Sequence, residues 1–123
     1  MIEDINHIEI EASDAEEMVA FFEKLGFEEH RETEHHGASY EMKPAGAEKP
    51  VFEIHTVKGE ETPGINHLAF QVDDIQGATK TLEEEDVSQV SNPYYVEPTD
   101  RTIVNFRDPD GRRFQFVSEG DKE

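Results

Sequence analysis

The residues best suited to chemistry in this chain are two histidines, His7 and His67, set in near-repeated tetrapeptides. Ile5-Asn6-His7-Ile8 returns 60 positions later as Ile65-Asn66-His67-Leu68. A spacing close to half the chain marks an internal duplication. The last strands of the two copies match as well, Phe52-Glu53-Ile54 answering to Phe114-Gln115-Phe116. Strand alternation puts Phe52 and Ile54 on one face and Glu53 on the other, and it places Gln115 opposite Phe114 and Phe116 in the same way. His7, Glu53, His67 and Gln115 are then convergent polar groups, two from each copy, if the polar faces of the modules enclose a cavity. Two neutral imidazoles, a carboxylate oxygen and an amide oxygen suit a borderline divalent cation. Zinc, nickel, manganese, cobalt or iron is expected, and calcium is disfavoured because it prefers an all-oxygen shell. His55 shares the strand parity of Glu53 and is a candidate second proton-transfer group or cavity-lining side chain beside it. Glu9 shares the face of His7 and is a further candidate.

The elements that must position these groups are legible in the same repeat. In the first strand Ile8 and Ile10 alternate with His7, Glu9 and Glu11, and in its copy Leu68, Phe70 and Val72 alternate with His67, Ala69 and Gln71. A helix follows each. The first is expected to begin at Ser13, with Glu16 three residues on as in a capping box, and to bury Ala15, Met18, Val19, Phe22 and Leu25 before Gly26 ends it. The second starts near Asp74 and carries Ile75, Ala78 and Leu82, with Gly77 and two threonines inside it. Strands are expected over Ala38–Lys43 and Val51–Val57, with a Pro/Gly/Ala loop between them. In the second copy Gln89–Val96 is a strand interrupted by Pro93. Thr102–Arg107 and Arg113–Ser118 form a hairpin around the Asp108-Pro109-Asp110-Gly111 turn. Tyr40 and Met42 share a face and read as core. Tyr94 and Tyr95 read as a pocket wall or a lid, and His30, His35 and His36 as solvated.

Composition narrows the partners. The chain has 123 residues, 11 Lys and Arg against 30 Asp and Glu, a formal charge of −19 and no cysteine. One domain is expected, made of module one (residues 1–60), module two (61–118) and a polar tail (119–123). The charge repels nucleic acid and anionic membrane surfaces. The lack of cysteine excludes disulfides and thiolate chemistry. No apolar run is long enough for a membrane span or a signal-peptide core, so a cytoplasmic protein is expected. Acidity spread along the whole chain, with few lysines, is the pattern expected of a protein adapted to high salt, where screening relieves self-repulsion.

Three motifs together resemble the vicinal-oxygen-chelate superfamily, which includes glyoxalase I, methylmalonyl-CoA epimerase, extradiol dioxygenases, and fosfomycin- and bleomycin-resistance proteins. They are Ile-Asn-His at 5–7 and 65–67, Phe21-Phe22 with Leu25-Gly26-Phe27, and Phe106-Arg107-Asp108-Pro109-Asp110-Gly111. The resemblance spans about Ile5 to Ser118. It implies an α+β fold of two tandem βαβββ modules whose curled sheets form a cleft, and commonly a homodimer. It places the family's metal positions on His7, Glu53, His67 and Gln115. Many metal-dependent members carry a glutamate where this chain has Gln115, and that glutamate often serves as ligand and base. An amide can ligate but cannot take a proton, so the resemblance leaves Glu53 as the expected base. The implied function is a divalent-metal-dependent lyase or isomerase of glyoxalase type. It would act on a small α-oxo or α-hydroxy compound, or its thiol adduct, by enolate stabilisation. The alternatives are a metal-free ligand-sequestering protein and a ring-cleaving dioxygenase.

Overall fold

The computed structural model describes residues 2–34 and 38–119, so His35, His36 and the tail from Gly120 lie outside the described residues. In chain order the elements are β1 (Ile2–Ala12), α1 (Ala15–Lys24), β2 (Phe27–Thr33), β3 (Ser39–Pro44), β4 (Val51–Thr56), β5 (Gly64–Val72), α2 (Ile75–Glu84), β6 (Tyr94–Val96), a 3-10 turn (Glu97–Thr99), β7 (Arg101–Arg107) and β8 (Arg113–Glu119). Each half is therefore a βαβββ module. No described helix is long and apolar enough to cross a membrane.

The chain forms two compact units, and their boundaries do not coincide with a linear cut at residue 60. One unit is His7–Asn66, and the other joins residues up to Asn6 to those from His67 onward. The repeat is visible in side-chain bonding. Asn6 Nδ2 donates to Gln71 Oε1 in one unit at 3.1 Å, and its repeat mate Asn66 donates to Glu11 Oε1 in the other at 3.0 Å.

In the His7–Asn66 unit, β1 pairs parallel with β4, while β3 pairs antiparallel with both β4 and β2. The N-cap of α1 is Asp14, one residue after the expected Ser13. Its backbone is extended, and its carboxylate accepts from the amides of Glu16 and Glu17 at 3.1 and 3.3 Å. That satisfies two of the amides that a helix start leaves without partners. Ala15, Val19 and Phe22 are buried against Ala12, Met42 and Ile54, with Ile10, Tyr40 and Phe52 packed alongside. Phe22, Phe27 and Phe52 meet with centroids 4.9–5.3 Å apart. Tyr40 and Met42 thus serve the core, as read from the sequence. Leu25 does not. It is the C-cap residue and is 58% exposed, beyond the last turn that faces the sheet. Strand β2 escaped the sequence reading because Glu28, Glu29, His30 and Glu32 all face solvent and leave no apolar alternation. Such charge suits an edge strand, which must resist pairing with other chains.

In the other unit, β5 pairs parallel with β8, and β7 pairs antiparallel with β8 and β6. Helix α2 is capped by Asp74 and buries Ile75, Ala78, Thr79 and Leu82, and its apolar side packs with Val72, Val104 and Phe116. Gly77 has a local reason to stand in this helix. Its amide donates to Asp74 Oδ1 at 3.1 Å, and a Cβ there would sit 2.5 Å from Asp74 Oδ2. The expected strand over Gln89–Val96 reduces to the three residues of β6, after Pro93. The 108–111 turn is structural. Asp108 Oδ1 accepts from the amides of Asp110 and Arg112, which closes the β7–β8 hairpin.

Candidate metal centre

In each unit one sheet face is covered by its helix. In the His7–Asn66 unit, the side chains that alternate away from α1 are nearly all polar, and they form two rows across the strands. The first row runs Glu9, Glu53, Glu41, Arg31 through successive Cα partners on β1, β4, β3 and β2. The second runs Glu11, His55, Ser39, Thr33. Glu9, Glu53, Glu41, Glu11 and His55 are all buried, Glu41 completely and Glu53 to 2% exposure. A sheet face loaded with buried carboxylates is costly, because each loses its water shell. It persists only where partners, or a bound cation, compensate.

Partners are visible at the margins of the rows. Arg31 Nε lies 2.8 Å from Glu41 Oε1, a charge-assisted pair at the outer end. Asn66 holds Glu11. His55 Nε2 lies 3.2 Å from Glu9 Oε1. Burial pushes the His55 pKa down, but its hydrogen bond with Glu9 and the charges of Glu9, Glu53 and Glu11 outweigh burial and raise it above the ordinary 6.5. Glu53 sits between Glu9 and Glu41 in its row, where carboxylate density is highest. Glu9, Glu53 and His55 each offer a donor atom, and these atoms lie within 4.8 Å of one another. Two carboxylates and an imidazole at that separation match the chemistry of a first-row divalent ion. The donor set therefore fits such a group. His7, 2% exposed, precedes Glu9 by two residues on the same face of β1.

The second unit repeats the frame with different chemistry. Gln115 is the Cα partner of Ala69 on β5 and of Asn105 on β7. The acidic row of the first unit thus becomes Ala69, Gln115, Asn105, with no charge in it. Gln115 is 3% exposed. Its Nε2 donates to Asn105 Oδ1 at 3.0 Å, while its Oε1 is buried without a hydrogen-bond partner among the described residues. An unmatched buried carbonyl oxygen is an acceptor awaiting a donor or a cation. His67, 4% exposed, lies on β5 two residues before Ala69 and on the same face. The structure thus assigns His7 and Glu53 to one unit, His67 and Gln115 to the other, and gathers Glu9 and His55 around Glu53. Tyr94 and Tyr95 are walls of a 320 Å³ cavity that Asp73, Asp74, Pro93 and Thr102 also line.

Sequence reading gave Glu41 and Arg31 no role. The parity of Glu41 was available, since it alternates with Tyr40 and Met42, which it read as core. Arg31 lies on the strand that the charge pattern concealed.

Comparison with known proteins agrees with this architecture. No curated protein matches the chain in sequence. Among solved structures, a methylmalonyl-CoA epimerase superposes with a TM-score of 0.81 at 19% identity, covering 97% of this chain and 97% of that one. The methylmalonyl-CoA epimerase of Mycobacterium tuberculosis gives 0.82 at 15% identity, covering 96% and 89%. The Mn(II)-bound glyoxalase of Novosphingobium aromaticivorans gives 0.75 at 21% identity, covering 95% of this chain and 38% of that one. At these identities the likeness is one of fold. A profile of the Glyoxalase/Bleomycin resistance protein/Dioxygenase superfamily matches residues 4–116, and the chain belongs to that superfamily.

Proposed function

We propose that this protein is a divalent-metal-dependent isomerase or lyase that moves a proton next to a carbonyl of a small α-oxo or α-hydroxy compound or its thiol adduct. The observation that carries this reading is the buried group of Glu9, Glu53 and His55, with donor atoms within 4.8 Å of one another on a sheet face that no helix of its own unit covers. The ligand set read from the sequence, His7, Glu53, His67 and Gln115, belongs to the same proposal. A bound divalent ion would polarise paired substrate oxygens and stabilise the negative charge that develops on them. Glu53 would help to hold the ion and is the carboxylate we assign to take the proton. His55 has two roles open to it and cannot fill both at once: as a neutral imidazole it would ligate the ion, and as an imidazolium paired with Glu9 at 3.2 Å it would leave the ion to the other donors and return a proton to substrate carbon or oxygen. The likeness to methylmalonyl-CoA epimerases adds acyl thioesters to the substrates worth trying.

The test is direct. Protein purified without a histidine tag should carry close to one equivalent of a first-row metal by elemental analysis. With that metal it should exchange the α-proton of a suitable thioester or thiol adduct with deuterated water. Glu53→Gln should lose both, His7→Ala and His67→Ala should lose metal, and Gln115→Ala should bind it more weakly. Protein that binds no divalent metal, and loses nothing in these variants, would refute the reading and leave a sequestering protein as the better account.

A further inference from the structure

We infer that Arg113 and Asn105 form a relay that fixes the Gln115 carboxamide with its oxygen, and not its NH2 group, free to meet a ligand. The inference rests on, and deepens, the reading of Gln115 as a metal donor. The argument begins with a group that has no choice. A guanidinium only donates hydrogen bonds. Arg113 Nε lies 3.0 Å from Asn105 Oδ1 and therefore fixes which end of the Asn105 amide is oxygen. Reversed, Asn105 would set an NH2 group against that Nε. With Oδ1 fixed as an acceptor, the Gln115 atom 3.0 Å away must be a donor, so it is Nε2. Reversed, Gln115 would set one carbonyl oxygen against another. The orientation of one amide thus dictates that of the next, and the Gln115 oxygen is left buried without a partner among the described residues.

The rest of the surroundings hold the relay still. Asn105 and Gln115 are Cα partners on β7 and β8. The Asn105 backbone N–H donates to Ser91 Oγ and its backbone carbonyl accepts from Ser91 N, both at 2.9 Å. Asn105 Nδ2 donates to the Tyr94 hydroxyl at 2.8 Å, a partner that accepts as readily as it donates and so agrees with the orientation Arg113 imposes. Without the relay, Gln115 could turn its NH2 group toward the ligand and would repel a cation. Arg113 and Asn105 are positioning residues. They make a residue that is formally neutral and ambidextrous behave as an oxygen donor only.

The experiment has one arm in metal-free protein and one with Mn(II) alone. In metal-free protein, NMR of the Gln115 side-chain amide should show slow hydrogen exchange and two well-separated Nε2 proton shifts. Asn105→Leu should abolish both features. Asn105→Asp, which keeps an acceptor for Arg113 and Gln115, should preserve them. With Mn(II), Asn105→Leu should weaken binding about 10- to 100-fold, as losses of groups that orient metal ligands do, and Asn105→Asp should recover most of it. Should Asn105→Leu fail to fold, Arg113→Gln serves instead, because an amide donates or accepts and frees Asn105 to turn. Protection of Gln115 that is equal in wild type, Asn105→Leu and Arg113→Gln would overturn the relay. Unchanged Mn(II) affinity with protection lost would overturn its role in binding. If wild type shows the protected amide yet binds no Mn(II), the relay stands and the proposed metal-dependent function falls.

Discussion

Replacing Glu53 with glutamine should strengthen the metal-free protein and reduce what metal adds to its stability. Glu53 and Glu9 are Cα partners whose carboxylates reach within 4.8 Å of each other, both buried. Two like charges at that distance repel by ~3.5 kcal/mol at an effective dielectric of about 20. His55 lies 3.2 Å from Glu9, and whenever it carries a proton its charge would cancel part of this field. A net gain of ~1–2 kcal/mol is expected for metal-free Glu53→Gln, on the same dielectric argument. Added metal acts with the opposite sign. At a hundredfold excess over its dissociation constant it stabilises wild type by ~2.7 kcal/mol, and the variant, having lost an anionic ligand, should gain under ~1 kcal/mol at the same concentration. Urea unfolding followed by circular dichroism, in EDTA and in Mn(II), reads both effects. With a slope of about 1–3 kcal/mol per molar urea, the variant midpoint should rise by roughly 0.3–2 M in EDTA, and Mn(II) should add less than half of what it adds to wild type. A variant that is weaker than wild type in EDTA, and stabilised by Mn(II) as much as wild type is, would refute the idea that this face is built around a cation.

Further outcomes are expected elsewhere in the molecule. Gln115→Glu places a carboxylate against Asn105 Oδ1, an acceptor against an acceptor, and should cost ~1–3 kcal/mol in metal-free urea unfolding, with recovery on adding Mn(II). Gly77→Ala would ordinarily favour a helix by about 1 kcal/mol, yet here the new Cβ displaces the Asp74 cap, a loss of about the same size, so little or no net gain in stability is expected. The Tyr95 hydroxyl donates to Asp100 Oδ1, and that bond, ahead of burial and nearby charge, raises its pKa above the ordinary 10.0. Its stabilising effect is full below pH 10.0 and is lost only as pH climbs through the raised folded value. Asp100→Asn should move the Tyr95 ionisation seen by ultraviolet absorbance back down. With a net charge of −19, the unfolding midpoint should rise with potassium chloride, and a flat response would remove the argument from self-repulsion.

Much of the fold was readable because the duplication doubled every signal. Alternation in β1 and β5, the helix periodicity after each, and the Asp108–Gly111 turn are local patterns, and local patterns survive in a single sequence. The polar face was readable too, since His7, Glu9, Glu53 and His55 share strand parity. What sequence could not show was register. Glu9 meets Glu53, and Glu53 meets Glu41, only because β1, β4 and β3 pair at particular offsets, which depend on turns whose lengths carry no code. Strand β2 was hidden for a different reason, since edge strands are selected to look unlike strands. The shift of the α1 cap from Ser13 to Asp14 reflects two acceptable caps in adjacent positions, between which backbone geometry decides. Gly77 and its threonines read as weakness in α2. The space needed by the Asp74 carboxylate explains the glycine, and each threonine hydroxyl donates to a carbonyl one turn back.

The division of the chain into units has a practical outcome for anyone who cuts it. The opening residues up to Asn6 are grouped with the C-terminal half, where Asn6 is fully enclosed and bonded to Gln71. A peptide ending near residue 60 would carry away a strand segment that its missing companion requires, and would itself lack Asn66, the donor to Glu11. Trimming the N-terminus should thus injure the distant half of the polypeptide before the neighbouring one. Split-protein reporters made from this scaffold would do better severed at an exposed tip, such as the Pro109–Gly111 bend, than at the midpoint the repeat suggests.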